Sequence, residues 1–140
     1  MYLIRLVYAS RVSEGVTMDD IYEILEASHS NNANRYLTGV LCYSEKYFLQ
    51  CIEGSRINVN YLYHRILNDP RHHEPSILQY EEINERNFSE WSMGFLSTQD
   101  VSAKIIQRFS GQENFEPYGM SGESCYQFLK CLVDKGMIEH

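Results

Sequence analysis

The stretch at residues 36–54, YLTGVLCYSEKYFLQCIEG, decides the fold of this chain. Two apolar runs flank a short polar turn at residues 44–46, a pattern that predicts two adjacent antiparallel strands. If the strands pair directly across this turn, Leu41 lies opposite Gln50. Because side chains alternate along a strand, both sheet faces carry apolar residues and both need a cover. One face carries Leu41, Tyr43, Phe48, Gln50 and Ile52, and the other carries Val40, Cys42, Leu49 and Cys51.

Gln50 is the unusual residue of this hairpin. A primary amide among apolar side chains needs hydrogen-bond partners, since burying it without them costs about 1–3 kcal/mol. The groups that satisfy Gln50 must therefore come from other parts of the chain.

The composition is that of an ordinary globular domain. The chain has 140 residues, 44% hydrophobic and 22% charged, which suits one domain with a single core. A formal net charge of −7 without an extended basic cluster argues against nucleic acid or an anionic membrane as a direct partner. No apolar run approaches the roughly 20 residues of a membrane helix, and the N-terminus lacks the pattern of a signal peptide. We therefore expect a cytoplasmic protein.

The cysteine and histidine residues show no metal-binding pattern. The chain contains four cysteines, Cys42, Cys51, Cys125 and Cys131. None belongs to a CxxC pair, and the adjacent His72 and His73 do not form a metal pair on their own. We therefore predict free buried thiols in a reducing compartment and no metal site.

Apolar periodicity predicts an alternation of strands and helices along the chain. Thr17 is a suitable helix N-cap, and Pro70 ends the second helix. In the last predicted strand, Trp91 and Met93 share one face. The predicted elements are a strand at 2–9, a loop at 10–16, a helix from Thr17 to the polar run at 28–34, the hairpin, a helix at 56–69, an edge strand at 76–83, a strand at 90–96 and two amphipathic helices beyond residue 98.

This order, β-α-β-β-α-β-β followed by two helices, begins with the ferredoxin-like pattern. We therefore predict an α+β fold in which two helices pack on one face of the sheet. The two C-terminal helices would cover the second apolar face. Residues 1–97 are then the main domain, and residues 98–140 are a helical extension packed on the sheet.

Strand parity brings Tyr8 and Gln50 to the same face. In a ferredoxin-like sheet the first and third strands are central neighbours, so the two side chains lie side by side beneath the helices. Such a pair is most often only a satisfied buried network. Asn31 and Asn32 lie near the end of the first helix, beside this face, and make it more polar than a plain core requires. Convergent hydrogen-bonding groups inside apolar walls are typical of sites for planar polar ligands.

The sequence resembles the BLUF family of flavin-binding blue-light sensors. The resemblance covers about residues 2–97, with its motifs in the order that the family shows. The segments that carry it are LIRLVYAS with Tyr8, SHSNNANRYLTGVL with Asn31 and Asn32, FLQCIEG with Gln50, YHRILNDPRHH, and NFSEWSM with Trp91 and Met93. The remaining helices resemble those of short stand-alone BLUF proteins that lack a separate output domain.

The resemblance implies a flavin held between the two helices. Ile24 and Ile66 would be the apolar residues on its two sides. Asn32 would hydrogen-bond the carbonyl and imide edge of the ring, with Asn31 and Ser28 nearby. The residues expected at the ring edge, ribityl chain or phosphates are Arg65, Asp69, Arg71 and His72. FAD follows from the resemblance alone, and the residues themselves leave FMN and riboflavin open.

The resemblance also leads to a hypothesis for a photochemical switch. Tyr8 would bond Gln50, and Gln50 would reach flavin N5 and the neighbouring carbonyl. Light would drive electron and proton transfer from Tyr8, after which the Gln50 amide would rotate or tautomerise and add a bond to the flavin carbonyl. Trp91 and Met93 would relay the change to the C-terminal helices. The protein would then be a photoreceptor and not an enzyme.

Two other functions remain open at this point. A flavin-dependent enzyme of the same fold would need an acid or base near the flavin, and the candidate histidines are equally well explained as capping or phosphate contacts. A ferredoxin-like binding module without a chromophore is the second alternative. For the photoreceptor, we expect a homo-oligomer and a separate downstream signalling protein as partners.

Overall fold

The computed structural model describes residues 2–89 and 91–140, which fold into a five-stranded sheet with helices on both faces. The strands are β1 (Leu3–Val12), β2 (Thr38–Tyr43), β3 (Tyr47–Ser55), β4 (His72–Ile83) and β5 (Gly94–Ser97). The helices are α1 (Met18–Asn34), α2 (Arg56–Leu67), α3 (Ala103–Ser110) and α4 (Gly122–Asp134), with short 3-10 turns at Thr98–Asp100 and Pro117–Gly119. The strand order β4-β1-β3-β2-β5 is antiparallel except for the β2–β5 pair, so the predicted ferredoxin-like α+β fold is confirmed.

The hairpin forms in the predicted register, with Leu41 directly opposite Gln50. The Ser44 N–H donates to the Tyr47 carbonyl at 2.9 Å and closes the turn. Gly39 allows close approach of the two strands, since a Cβ there would lie 2.1 Å from the Cys51 carbonyl oxygen. Every residue of β3 is buried, because the strand lies between β1 and β2 and both of its faces are covered.

The two faces of the sheet carry separate cores. On one face, α3 and α4 pack over the sheet in a single large apolar cluster that includes Val7, Leu49 and Cys51. The cover predicted for the C-terminal helices is therefore confirmed. On the other face, α2 and α1 lie over two smaller clusters, one around Tyr8 and one around Phe48.

The helix α1 begins as predicted and continues further than its composition favours. Thr17 and Asp20 form a capping box, in which the Asp20 N–H donates to Thr17 Oγ1 at 3.3 Å and the Thr17 N–H donates to Asp20 Oδ2 at 2.8 Å. The helix then runs through the whole polar run to Asn34. Tertiary contacts explain this extension, because Asn32 is buried and its side chain bonds the backbone of Ser92.

Several predicted boundaries shift by a few residues. The strand β1 extends to Val12 instead of ending at Ala9, because Arg11 still pairs with both Tyr47 and His73. For the same reason β4 starts at His72, before the predicted start at residue 76. It lies at the edge of the sheet, as predicted, with two register shifts against β1. The helix α2 ends at Leu67, two residues before the predicted end.

The predicted last strand forms but starts later than expected, and the prediction that it carries Trp91 and Met93 on one face is wrong. The strand β5 starts only at Gly94, and Glu90 lies outside the described residues. Trp91 packs against the cluster beneath α3 and α4, whereas Met93 belongs to the cluster beneath α1. The connection between β4 and β5 therefore passes from one sheet face to the other between these two residues.

The cysteines are free, as predicted. Cys42, Cys51 and Cys125 are buried and Cys131 is half-buried. Burial raises the pKa of the Cys125 thiol to about 12, so this group stays protonated at neutral pH. Within residues 2–89 and 91–140, no group of side chains is placed to hold a metal ion, and no helix is long and apolar enough to cross a membrane.

Candidate functional site

A cleft opens between α1 and α2 on the face of the sheet that carries Tyr8 and Gln50. The sheet forms its floor, the two helices form its sides, and the start of β4 with the residues just before it forms its mouth. Its lining residues are Tyr8, Ile24, Ser28, Leu41, Phe48, Gln50, Leu62, Ile66, Asp69, Arg71 and His72. The lining is mainly apolar with a few convergent polar groups, as in sites for small molecules.

Tyr8 and Gln50 form the centre of the cleft floor. They are direct partners in the ladder between β1 and β3, and both are buried. The Tyr8 hydroxyl donates a hydrogen bond to Gln50 Oε1, and Gln50 Nε2 donates to the Met93 sulfur at 3.4 Å. Both ends of the amide are therefore partnered. A thioether is a weak acceptor, so the Nε2 end is held less firmly than the Oε1 end.

The surroundings of Tyr8 keep its phenol neutral. The Tyr63 ring lies 5.4 Å from the Tyr8 ring, and the His72 ring lies 6.5 Å away, centroid to centroid. Burial raises the pKa of the Tyr8 phenol far above its ordinary value, and the nearby Tyr63 and Asp69 add to the shift. A neutral phenol keeps its proton on the oxygen that faces Gln50, where it is available for transfer.

Asn32 carries an unsatisfied acceptor close to this cleft. It lies one helical turn after Ser28, and its side chain is 1% exposed. Its Nδ2 donates to the Ser92 carbonyl at 2.8 Å, but its Oδ1 has no partner among the described residues. A buried acceptor without a donor is costly, so this oxygen is suited to a ligand that brings an N–H group.

The mouth of the cleft carries a fixed cation. Arg71 Nη2 lies 2.7 Å from Asp69 Oδ2, and the guanidinium also reaches the Asp20 carbonyl at 3.4 Å. Hydrogen bonds from Arg71 hold the pKa of the Asp69 carboxyl below its ordinary value of 3.8. His72 bonds the Ile66 carbonyl, which joins the start of β4 to the end of α2. Glu23 Oε2 also lies 3.6 Å from Arg71 Nη1, so the charge of Arg71 is shared with two carboxylates, and what the mouth offers a phosphate or a polar chain is mainly the guanidinium N–H donors.

Three of the residues predicted to hold the flavin lie outside the cleft lining, Asn31, Asn32 and Arg65, and of these only Asn32 is buried. Asn31 is exposed on α1, on the side away from buried Asn32. Arg65 is exposed on α2, and its guanidinium carbon lies 5.8 Å from the centre of the Tyr61 ring. Asp69 pairs with Arg71 and not with Arg65, which lies one helical turn before it.

The sequence did not single out several contributors to the cleft. Leu41 and Phe48 line its floor, Leu62 lines its side, and Tyr63 lies against Tyr8. The apolar stripe of α2 predicts that Leu62 and Tyr63 face the interior. Strand parity predicts the same for Leu41 and Phe48. Neither pattern distinguishes a residue that contacts a ligand from one that only fills a core.

A larger groove lies at the N-terminal end of α1, where the hairpin turn meets the 3-10 turn Thr98–Asp100. Its polar side chains, such as Glu45, Lys46 and Glu116, are exposed turn residues that point into solvent freely. The cleft at Tyr8 and Gln50 combines buried polar groups with apolar walls, and is the better candidate on chemical grounds.

The fold and the cleft define a ferredoxin-like domain with a ligand site between two helices. The family model for BLUF, sensors of blue-light using FAD, matches residues 3–94. The chain therefore belongs to the BLUF family, whose members are flavin-binding blue-light sensors.

Curated relatives include much longer proteins. The chain is 29% identical over 125 residues to the photoactivated adenylate cyclase subunit beta of Euglena gracilis, covering 82% of this chain and 15% of that protein. It is 28% identical over 91 residues to the blue light- and temperature-regulated antirepressor BluF of Escherichia coli (strain K12), covering 65% of this chain and 23% of that protein. The chain thus spans less than a quarter of the length of these relatives.

Solved structures of similar length share the whole fold. The dark-state structure of BlrB, a BLUF protein, is 30% identical with a TM-score of 0.82, and the match covers 96% of this chain and 97% of that one. The photo-activated state of BlsA is 28% identical with a TM-score of 0.85, covering 94% of both chains. Coverage this high includes the helices α3 and α4, which the family match does not reach.

Proposed function

We propose that this protein is a blue-light photoreceptor that holds FAD non-covalently in the cleft and signals through a hydrogen-bond rearrangement at Gln50. The observation that carries this proposal is the buried chain of hydrogen bonds from Tyr8 through Gln50 to Met93. It lies on the floor of the cleft, in a member of a family of flavin-binding sensors.

The residues of the cleft fit a flavin. Ile24 and Ile66 offer apolar contact from the two helices. The orphaned Asn32 Oδ1 is an acceptor for the imide N–H of the ring, and Ser28 lies one turn away. Arg71 at the mouth offers N–H donors to the phosphates, beside Asp69 and His72. FAD is our choice among flavins because the family description names it. Asn31 and Arg65 would contribute at most through the outer rim, since both are exposed.

The chain contributes a donor and a switch to the photochemistry. The flavin, when bound, supplies the absorption of blue light and, once excited, an oxidising centre. Tyr8 would give an electron to that centre and its phenol proton along the bond to Gln50 Oε1, and both return to Tyr8 once Gln50 has rearranged, so that there is no net oxidation. Gln50 then rotates or tautomerises, because an amide carries a donor and an acceptor that can exchange places. This change breaks the weak bond to Met93, because a thioether sulfur can only accept a hydrogen bond and the Gln50 oxygen that would then face it has none to donate.

Met93 and Trp91 are the proposed relay to the C-terminal helices. Met93 contacts Gln50, and Trp91 packs two residues earlier against the cluster beneath α3 and α4. A displacement of Met93 therefore reaches the opposite sheet face through the backbone of three residues. In this proposal, residues 1–97 sense light and residues 98–140 carry the response outward.

The output is proposed to be an interaction and not a reaction. Similar proteins include an antirepressor and light-activated cyclases, so BLUF domains act together with varied effectors. For this chain we propose a homo-oligomer in the cytoplasm that acts on a separate signalling protein.

The test is the absorption spectrum of the flavin-loaded protein before and after blue light. The wild type should shift to the red and recover in the dark, and Tyr8→Phe should bind flavin without shifting. Tyr22→Phe, which removes an exposed phenol from α1, is the matched control and should behave as the wild type. A colourless protein that cannot be loaded with flavin, or an unaltered photocycle in Tyr8→Phe, would contradict the proposal.

A further inference from the structure

We propose that Glu53 is a positioning residue for the switch: its carboxylate clamps the β4–β5 connection (residues 84–93) and so holds Met93 against Gln50. The inference rests on the proposed photoreceptor function and adds a residue to it. Glu53 lies on β3 three residues after Gln50, so its side chain projects from the opposite face of the sheet.

The carboxylate of Glu53 is completely buried and is bonded to this connection. Its Oε2 accepts the Asn87 N–H at 2.8 Å, and its Oε1 accepts the Phe88 N–H at 2.8 Å. The hydroxyl of Thr38, its neighbour across the ladder, donates to Oε1 at 3.4 Å. A buried carboxylate is tolerated only where such donors replace water. The side chain therefore holds two successive backbone amides of a segment without regular structure.

Arg86 adds a second attachment at the same place. Its Nη1 donates to the backbone carbonyl of Glu53 at 3.0 Å and to Thr38 Oγ1 at 2.9 Å. Residues 86–88 are thus tied both to the side chain and to the main chain of β3. We call these contacts of Glu53 and Arg86 the Glu53 clasp.

The clasp fixes the start of a segment whose end, Met93, contacts Gln50 of the cleft floor. Beyond the clasp, the Gly39 N–H donates to the Trp91 carbonyl at 3.2 Å, and Asn32 holds the Ser92 carbonyl. Gln50 then holds Met93 by its weak sulfur contact. Because a thioether bonds weakly, the position of Met93 depends on these backbone attachments more than on Gln50 itself.

The clasp also faces the C-terminal helices. Phe88 is buried in the cluster beneath α3 and α4, and its ring centre lies 6.2 Å from that of Tyr126 on α4. The segment held by Glu53 therefore has Phe88 on the helix side and Met93 on the cleft side. A residue that fixes this segment between its two ends controls how movement at Met93 reaches α4.

A simpler interpretation is that Glu53 only satisfies buried amides and stabilises the fold. The two interpretations differ in what the isosteric Glu53→Gln substitution does. A carboxylate accepts from both amides, whereas a carboxamide offers one acceptor and turns its NH₂ group toward the other N–H. A purely stabilising role lowers the unfolding temperature and leaves the photocycle unchanged. A positioning role alters the recovery of the light state in protein that is still folded.

The experiment uses flavin-loaded full-length protein. In Glu53→Gln, amide hydrogen exchange at Asn87 and Phe88 in the dark should be roughly ten- to a hundredfold faster, as expected when a bond to a charged acceptor is lost. Trp91 is the only tryptophan of the chain, and its fluorescence should become more accessible to acrylamide. Dark recovery of the red-shifted state should be faster by a factor of about ten, since the rearranged Gln50 is held less firmly.

Glu85→Gln is the matched control, because Glu85 is an exposed acid in the same connection. It should leave exchange, fluorescence and recovery as in the wild type. Arg86→Gln removes the bonds from the Arg86 guanidinium to the Glu53 carbonyl and to Thr38. It should change exchange, fluorescence and recovery in the same direction as Glu53→Gln, but by less. If Glu53→Gln does not fold, the same three measurements on Arg86→Gln test the inference.

Unchanged exchange at Asn87 and Phe88, or unchanged recovery with only a lower unfolding temperature, would overturn the inference. If the wild type shows no red shift at all, the photoreceptor proposal fails. The rate of amide hydrogen exchange at Asn87 and Phe88 in the Glu53→Gln variant, measured in the dark, would still show whether Glu53 holds the β4–β5 connection.

Discussion

The two faces of the sheet are built for different purposes. Beneath α3 and α4, buried apolar side chains form one continuous cluster that extends from β1 across to Ile138. Beneath α1 and α2, the apolar residues form two separate clusters, and the cleft with Tyr8 and Gln50 lies between the helices that cover them. The same five strands thus support a closed face and a divided face.

The division of the second face is what allows a ligand to bind there. A continuous core leaves no room for a planar ring and no unpaired polar atom to recognise it. The divided face has a small gap of about 70 Å³ between α1 and α2 and the orphaned Oδ1 of Asn32, so a ring that binds there must move the two helices further apart. Stability is therefore expected to depend mainly on the closed face, and flavin binding on the divided one.

A pair of cavity-forming substitutions tests this division most strongly. Leu129→Ala, at a fully buried position of α4, should lower the free energy of unfolding by about 2–5 kcal/mol. Ile24→Ala, at a half-buried position of the cleft, should cost much less in the flavin-free protein and should weaken flavin binding. Denaturant unfolding and flavin titration measure the two effects. Equal losses of stability would show that the faces contribute alike.

A smaller effect is expected from the orphaned acceptor. Asn32→Ala removes the proposed partner of the imide N–H and should raise the flavin dissociation constant by roughly ten- to a hundredfold, equivalent to about 1–3 kcal/mol. Asn34→Ala, at an exposed position on the same helix, is the control and should not change the affinity. The titration follows the change in flavin fluorescence. Unaltered affinity in Asn32→Ala would exclude this oxygen as a flavin contact.

The smallest effect concerns acid pH. Because Arg71 lowers the pKa of Asp69 below 3.8, the pair stabilises the folded state above that pH and loses this contribution as the pH falls through the lowered value. The pair is partly exposed, so its contribution is about 1 kcal/mol or less. The stability difference between wild type and Asp69→Asn should therefore be present near pH 6 and shrink below about pH 4. A difference that grows toward acid pH would contradict the assignment.

Much of the divided face could be predicted from the sequence, because strand parity is a rigid rule. Once the hairpin register was fixed at its turn, the partners of Leu41 and the faces of Phe48 and Gln50 followed. The neighbouring position of Tyr8 followed from the order of the strands in the predicted fold. These inferences depend on backbone geometry alone and need no knowledge of packing.

The β4–β5 connection could not be predicted in the same way. Its alternating apolar residues suggest a strand, but Trp91 and Met93 lie on different sides of the sheet. The connection is held by long-range bonds that no local pattern contains, from the Asn87 and Phe88 N–H groups to the Glu53 carboxylate and from Asn32 to the Ser92 carbonyl. The extension of α1 to Asn34 has a similar cause, since the contact of Asn32 with Ser92 outweighs poor helix propensity.

The edges of the sheet have a consequence for how copies of this chain can meet. An unprotected edge strand invites pairing with another chain and leads to aggregation. On β4, Pro75 lacks an N–H, two register shifts bend the strand, and Glu81 and Glu82 add charge. On β5, which is only four residues long, Glu139 exchanges two backbone hydrogen bonds with Phe95 and so occupies the edge at that residue. We therefore expect any assembly to form through side chains, with each sheet remaining five-stranded and resistant to fibre-like growth.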